Sequence, residues 1–141
     1  MKVSEAMTAQ VVTAAPADTI RQVATTMAKI DSGVVPVMDD GKIIGLVTDR
    51  DIVLRVVAKD GDLNGPISEV MTGSVQTCQH DDSVADAAAQ MAHHQIRRLV
   101  VTNKAGELAG ILSLGDIAHD YGAKVVGQTL EEISVDPNPS H

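Results

Sequence analysis

"GLVTDRD", residues 45–51, is nearly repeated as "GILSLGD" at residues 110–116. In both stretches an apolar run after a glycine ends in a hydroxyl, Thr48 or Ser113. A carboxylate, Asp51 or Asp116, follows three residues later. A short run of branched aliphatic residues reads as a buried strand, and Thr-x-x-Asp or Ser-x-x-Asp after it reads as the start of a helix. The chain therefore contains the same strand-to-helix junction twice.

Working outward, the likeness extends over most of the chain. Residues 3–40 lie over residues 67–104 without a gap, Ala105 is inserted in a turn, and "GKIIGLVTDRDIVLRV" then lies over "GELAGILSLGDIAHDY". About fifteen positions are identical, among them Met7/Met71, Thr8/Thr72, Met27/Met91, Gly45/Gly110 and Asp51/Asp116. Two copies fall short of the three or more that a stacked solenoid needs, so they form a paired module.

Each copy has the same local pattern. A short extended piece (Val11–Thr13; Val75–Thr77) leads into an amphipathic helix. Ile20, Val23, Ala24, Met27 and Ala28 in one copy, and Val84, Ala87, Ala88, Met91 and Ala92 in the other, keep the helical period. Asp18-Thr19 and Asp82-Ser83 stand at the helix starts as caps. Two strands follow around a polar turn, then a second helix beginning near Asp49 and near Gly115. The expected fold is α+β, two tandem β-α-β-β-α repeats. Residues 1–58 form the first repeat, the polar Gly/Pro-containing stretch 59–66 the linker, 67–121 the second repeat and 122–141 a C-terminal tail. In the tail "TLEEIS" could make one helical turn, and "DPNPSH" reads as frayed. A unit of about 60 residues buries too little of its own surface to be comfortable alone. The two copies are expected to pack sheet to sheet about a pseudo-twofold, with clefts between them into which both motifs open.

Composition narrows the function. Of 141 residues 44% are hydrophobic and 21% charged, a folded chain rather than a disordered one. One Tyr, no Phe and no Trp leave no stacking platform for bases, and a net charge of −8 repels a phosphate backbone. No nucleic-acid partner is expected. The sequence has no apolar run of the roughly 18 residues that a membrane span requires, and its first residues lack a signal-like apolar core, so no membrane association and a cytoplasmic location are expected. The single Cys78 excludes an internal disulfide. Cys78, His80, His93, His94 and His119 do not close a four-ligand zinc pattern. With no nucleophile marked beside a base and no GxGxxG or Walker loop, the chain does not read as an enzyme.

The hydroxyl–carboxylate motif admits two readings. It is a capping box, with an acid placed well for the helix dipole. It is equally a ligand site: free N–H groups of a helix start attract an anion, a hydroxyl donates to phosphate, and a carboxylate accepts both hydroxyls of a ribose. The two uses are compatible, and the residue types leave both open.

The paired copies, Pro36-Val37 in the middle strand and the Gly-x-x-[Thr/Ser]-x-x-Asp pattern before the last helix together resemble a tandem cystathionine-β-synthase-type (CBS) domain pair. The likeness spans roughly residues 1–121 and is to the free-standing bacterial form. It implies a disc-shaped homodimer with no obligatory cofactor, a regulatory adenine nucleotide (AMP, ADP or ATP) between the copies, and a downstream protein target that is not identified. Carried over by position, Asp51 and Asp116 hold ribose hydroxyls while Thr48 and Ser113 meet a phosphate or ribose oxygen. The resemblance sets Asp116, Ser113 and Gly115 against Gln10, Ser32 and Gly33, and Asp51, Thr48 and Arg50 against Ser74, Ile96 and Arg97. Arg97 and Arg98 stand at a strand start, where related pairs place basic phosphate ligands; the first copy has Gly33 and Val34 there. One good site, in the Arg97-lined cleft with Asp51, and one weaker site are expected. The rival functions are a partner-binding scaffold with empty clefts and a metal-binding protein.

Overall fold

The computed structural model of the protein describes residues 1–9, 11–120 and 131–133. In chain order the elements are α1 (Val3–Ala6), α2 (Ile20–Ile30), β1 (Val34–Asp39), β2 (Lys42–Thr48), α3 (Asp49–Ile52), β3 (Thr77–Gln79), α4 (Val84–His94), β4 (Arg98–Thr102), β5 (Leu108–Ser113) and α5 (Leu114–Asp120). A π turn over Val53–Val57 continues α3, and a 3-10 turn spans Ile67–Glu69. The chain divides into two units. The first runs from Val11 to Val75; the second joins the opening residues to everything from Gln76 onward.

In the first unit Thr19 starts α2 with a reciprocal box. The Gln22 amide donates to Thr19 Oγ1 at 3.1 Å and the Thr19 amide to Gln22 Oε1 at 2.8 Å. The helix turns Ile20, Val23 and Met27 inward and ends at Asp31, whose φ of 51° is the left-handed stop. β1 and β2 pair antiparallel across Asp40 and Gly41, both at positive φ. A two-residue turn of that hand matches the strand twist. The core of this unit gathers Ile20, Val23, Met27, Val35, Val37, Val47, Ile52, Val56 and Ile67.

The strand expected at Val11–Thr13 is not formed; a single parallel bridge joins Ala14 to Val37 instead. The Ala14 amide donates to Pro36 O and the Met38 amide to Ala14 O. The next rung would need an N–H from Pro36, which proline lacks. In the second copy Val100 takes that place and donates to Gln76 O at 3.1 Å, and β3 forms there.

The second unit holds a three-stranded sheet in the order β3-β4-β5, with β3 parallel and β5 antiparallel to β4. Ser83 caps α4 by accepting the Asp86 amide at 3.0 Å. Val84, Ala87, Ala88 and Met91 of α4 pack on Leu99, Val101, Leu112 and Ile117, with Val3 and Ala6 of α1 in the same core. Glu131–Ile133 of the tail are helical and Ile133 packs against this core; the rest of 121–141 lies outside the described residues.

The copies written in the sequence are thus offset from the units that pack. Thr8, from the start of copy one, bridges Ile111 of β5, and Thr72, from the start of copy two, bridges Leu46 of β2. Each crossing runs over a glycine. A Cβ on Gly110 would sit 2.5 Å from Thr8 O and 2.8 Å from Met7 Sδ. A Cβ on Gly45 would sit 2.6 Å from Met71 Sδ and 2.9 Å from Thr72 O. The repeated Met-Thr and the repeated glycine are two halves of one packing device.

Candidate functional site

Both motifs fold as capping boxes. The Asp51 amide donates to Thr48 Oγ1 at 3.1 Å, and the Thr48 amide donates to Asp51 Oδ2 at 2.9 Å. The second copy repeats this: Asp116 N to Ser113 Oγ at 3.0 Å, Ser113 N to Asp116 Oδ2 at 2.9 Å. Each box fixes its hydroxyl and carboxylate side by side at a strand end. The hydroxyl, accepting an amide, keeps its own proton for donation, and the carboxylate keeps lone pairs on Oδ1. Capping orients the groups that a ribose or phosphate would need.

In the first unit Ser32 and Gly33 stand beside this motif. Ser32 Oγ donates to Val34 O at 3.1 Å, and the Asp49 amide donates to Gly33 O at 2.9 Å. Asp49 Oδ2 lies where a Cβ on Gly33 would be only 2.9 Å away, so the carboxylate covers the bare glycine. Arg50 is exposed and forms no ion pair among the described residues. Ser74 is also exposed, two residues past the Thr72–Leu46 bridge.

The second unit differs in charge at the matching place. Arg98 pairs with Ser113 across β4 and β5, and the Leu114 amide donates to Arg97 O at 2.9 Å. Arg97 and Arg98 are exposed and neither forms an ion pair with a carboxylate among the described residues. Ile96 is half-buried against the core. Gly115 is exposed, with Ser113 Oγ 3.6 Å from its would-be Cβ. Ile96, Arg97, Arg98, Ser113, Gly115 and Asp116 thus share one unit, while Ser32, Gly33, Thr48, Arg50, Asp51 and Ser74 share the other. Gln10 lies outside the described residues.

One polar residue escaped the sequence reading. Arg55 reaches the carbonyls of Val70 and Met71 and lies near Asp51. The available signal was its place four residues after Asp51 on one helix face.

Among the described residues no three His, Cys, Asp or Glu side chains converge as metal ligands. His80 is 3.4 Å from Asp81, and His93 and His94 meet edge to face. Cys78 is buried in the second core. Desolvation, with the neighbouring Asp82 charge, pushes its thiol up to about 11, so the thiolate that metals and electrophiles need is scarce near neutrality. No described helix is long and apolar enough to cross a membrane.

Comparison with known proteins agrees with this architecture. The CBS domain profile matches residues 3–58 and again 67–122. The CBS domain-containing protein YhcV of Bacillus subtilis is 39% identical over 133 residues, covering 94% of each chain. The structure of CBS domain protein PAE2072 from Pyrobaculum aerophilum complexed with AMP superposes with a TM-score of 0.78 at 34% identity, over 93% of this chain and 99% of that one. The crystal structure of hypoxic response protein I with two coordinated zinc ions superposes at 0.74 and 29% identity, over 85% and 98%. The repeat, the two glycine-crossed hairpins and the twin capping boxes have one source: the chain belongs to the CBS-domain family, as a tandem pair of CBS domains.

Proposed function

We propose that the protein is a regulatory module that binds an adenine nucleotide, acts as a homodimer and carries out no catalysis. The observation behind this reading is the pair of guanidinium groups, Arg97 and Arg98, left without a carboxylate partner among the described residues beside the Ser113–Asp116 box. In a protein with net charge −8, an arginine with a free choice of carboxylates ordinarily takes one. Two that do not are suited to bidentate phosphate contact. The likeness to a CBS protein complexed with AMP supports the same ligand class.

In this reading Asp116 accepts the ribose hydroxyls, Ser113 and one or both arginines meet the phosphate, and Gly115 leaves room for the ligand's approach. Thr48, Arg50, Asp51 and Ser74 form a second, weaker site, because Gly33 and Val34 stand where the arginines stand in the other copy. This ranking is the reverse of the one expected from sequence, which put the main site in the Arg97-lined cleft with Asp51; it follows from taking the arginines with the Ser113–Asp116 box of their own unit. Ligand can act as a signal only to the extent that it binds one arrangement of the protein better than another. Calorimetric titration with AMP, ADP, ATP and adenosine tests the proposal. Saturable binding that is tighter for the phosphorylated ligands is expected; no heat with any of them would overturn it.

The dimer rests on a separate observation. Val53, Leu54 and Val57 of the π turn are 53%, 46% and 62% exposed, an apolar stripe beside an otherwise charged helix start. Contiguous exposed aliphatics of this kind mark an association surface. Leu54→Glu together with Val57→Glu is expected to convert a dimer to a monomer in sedimentation while leaving nucleotide binding to each chain. A wild type that sediments as a monomer at high concentration would overturn self-association.

A further inference from the structure

An arginine four residues after an aspartate on a helix ordinarily makes an exposed pair of little consequence. Arg55 does more than that. Its Nη1 donates to Val70 O at 3.1 Å and reaches Met71 O at 3.5 Å, while its Nε lies 3.9 Å from Asp51 Oδ1. A guanidinium can hold several acceptors at once because its donors are fixed in a single plane. Its position within the π turn is also notable, since such turns recur where a helix is adapted to a site.

The acceptors belong to a particular segment. Val70 and Met71 lead into Thr72, which exchanges two backbone hydrogen bonds with Leu46 of β2, at 2.8 and 3.0 Å. Met71 crosses the bare face of Gly45, and Ser74 follows two residues after Thr72. One side chain thus ties the Asp51 carboxylate to the segment that carries Ser74. Among the described residues the second copy has no such tie: Asp120 occupies the position corresponding to Arg55, four residues after Asp116 and of the same charge.

We propose that Arg55 is a positioning residue of the Thr48–Asp51 site. It holds the Asp51 carboxylate and the Val70–Thr72 segment in one arrangement, so that occupation of Asp51 by a ligand hydroxyl is transmitted to Ser74. The role rests on the nucleotide-site reading above and deepens it: the first copy has a built-in link between carboxylate and segment that the second lacks.

An amide-resolved NMR titration of the full chain with AMP separates the two claims. Thr48 and Asp51 amides report one site, Ser113 and Asp116 amides the other. In Arg55→Met the affinity read at Thr48 and Asp51 is expected to fall on the order of tenfold, the loss typical of a charge-assisted contact, with the Ser113 and Asp116 affinity unchanged. Hydrogen exchange at the Thr72 and Leu46 amides of the free protein should rise in the same variant. Arg55→Lys keeps the charge without the fork and should lose a smaller factor; it carries the test if Arg55→Met does not fold. Equal affinity in wild type and variant, or equal weakening at both sites, would overturn the positioning role. A wild type in which none of the four amides responds to AMP would instead overturn the nucleotide reading, and the ligand-linked role of Arg55 with it.

Discussion

Replacing Asp116 with Ala is expected to abolish the nucleotide-dependent rise in unfolding temperature. A ligand present at 100 times its dissociation constant stabilises the folded chain by about 2.7 kcal/mol. For a chain of this size that corresponds to roughly 5–11 °C. Asp116 also accepts the Ser113 amide at 2.9 Å, so its removal weakens the α5 cap and lowers the stability of the free protein by about 0.5–2 kcal/mol. The two effects separate with Asp116→Asn. Asparagine can still accept the Ser113 amide through its carbonyl oxygen, but it has lost the charge and half of the acceptor capacity that a ribose diol uses. The Asn variant should keep most of the stability of the free protein and still lose the ligand shift. A shift of wild-type size in both variants would reduce the Ser113–Asp116 box to a helix cap. Loss of the shift with Asp51→Ala but not with Asp116→Ala would make the Thr48–Asp51 motif the principal site.

The paired architecture was legible because the chain states it twice. Periodicity located α2 and α4, Thr19 and Ser83 announced their caps, and Thr48 and Ser113 announced theirs. What sequence could not convey was partnership. The pattern of Met7 and Thr8 gives a face, but nothing local says that this face lies on β5, some hundred residues away in sequence, rather than on its own copy. The missing Val11–Thr13 strand was readable in principle, since Pro36 has no N–H to offer the next rung. The grouping of Arg98 with Ser113 was also within reach. The Asn103–Gly106 turn fixes the register of the β4–β5 hairpin, and the register sets these two residues opposite each other. Arg55 was the hardest to find. Its principal acceptors are backbone carbonyls, which every residue carries and no side-chain pattern reveals.

Gly110→Ala should be among the most damaging single-methyl additions in the protein. The new carbon would lie 2.5 Å from Thr8 O, a separation that real Cβ atoms do not tolerate, and 2.8 Å from Met7 Sδ. The sulfur ends a flexible side chain and can swing aside. The carbonyl cannot, because Thr8 is pinned to Ile111 by two backbone hydrogen bonds of 2.9 and 3.0 Å. Relief must come from lifting the crossing segment off β5, at a cost of about 1–3 kcal/mol or more in urea unfolding. Two other glycines serve as controls. Gly115 has only Ser113 Oγ at 3.6 Å, so Gly115→Ala should change stability by no more than about 0.5 kcal/mol. Gly106 has open space but a φ of +80°, so Gly106→Ala is expected to lose about 1–2 kcal/mol through backbone strain alone. Met7→Ala added to Gly110→Ala should recover only the part of the loss due to sulfur, and the remainder measures the carbonyl clash. If Gly110→Ala unfolds no earlier than Gly115→Ala, Thr8 does not bear on β5 in solution, and the exchange of opening segments between the two copies is not what holds the second unit together.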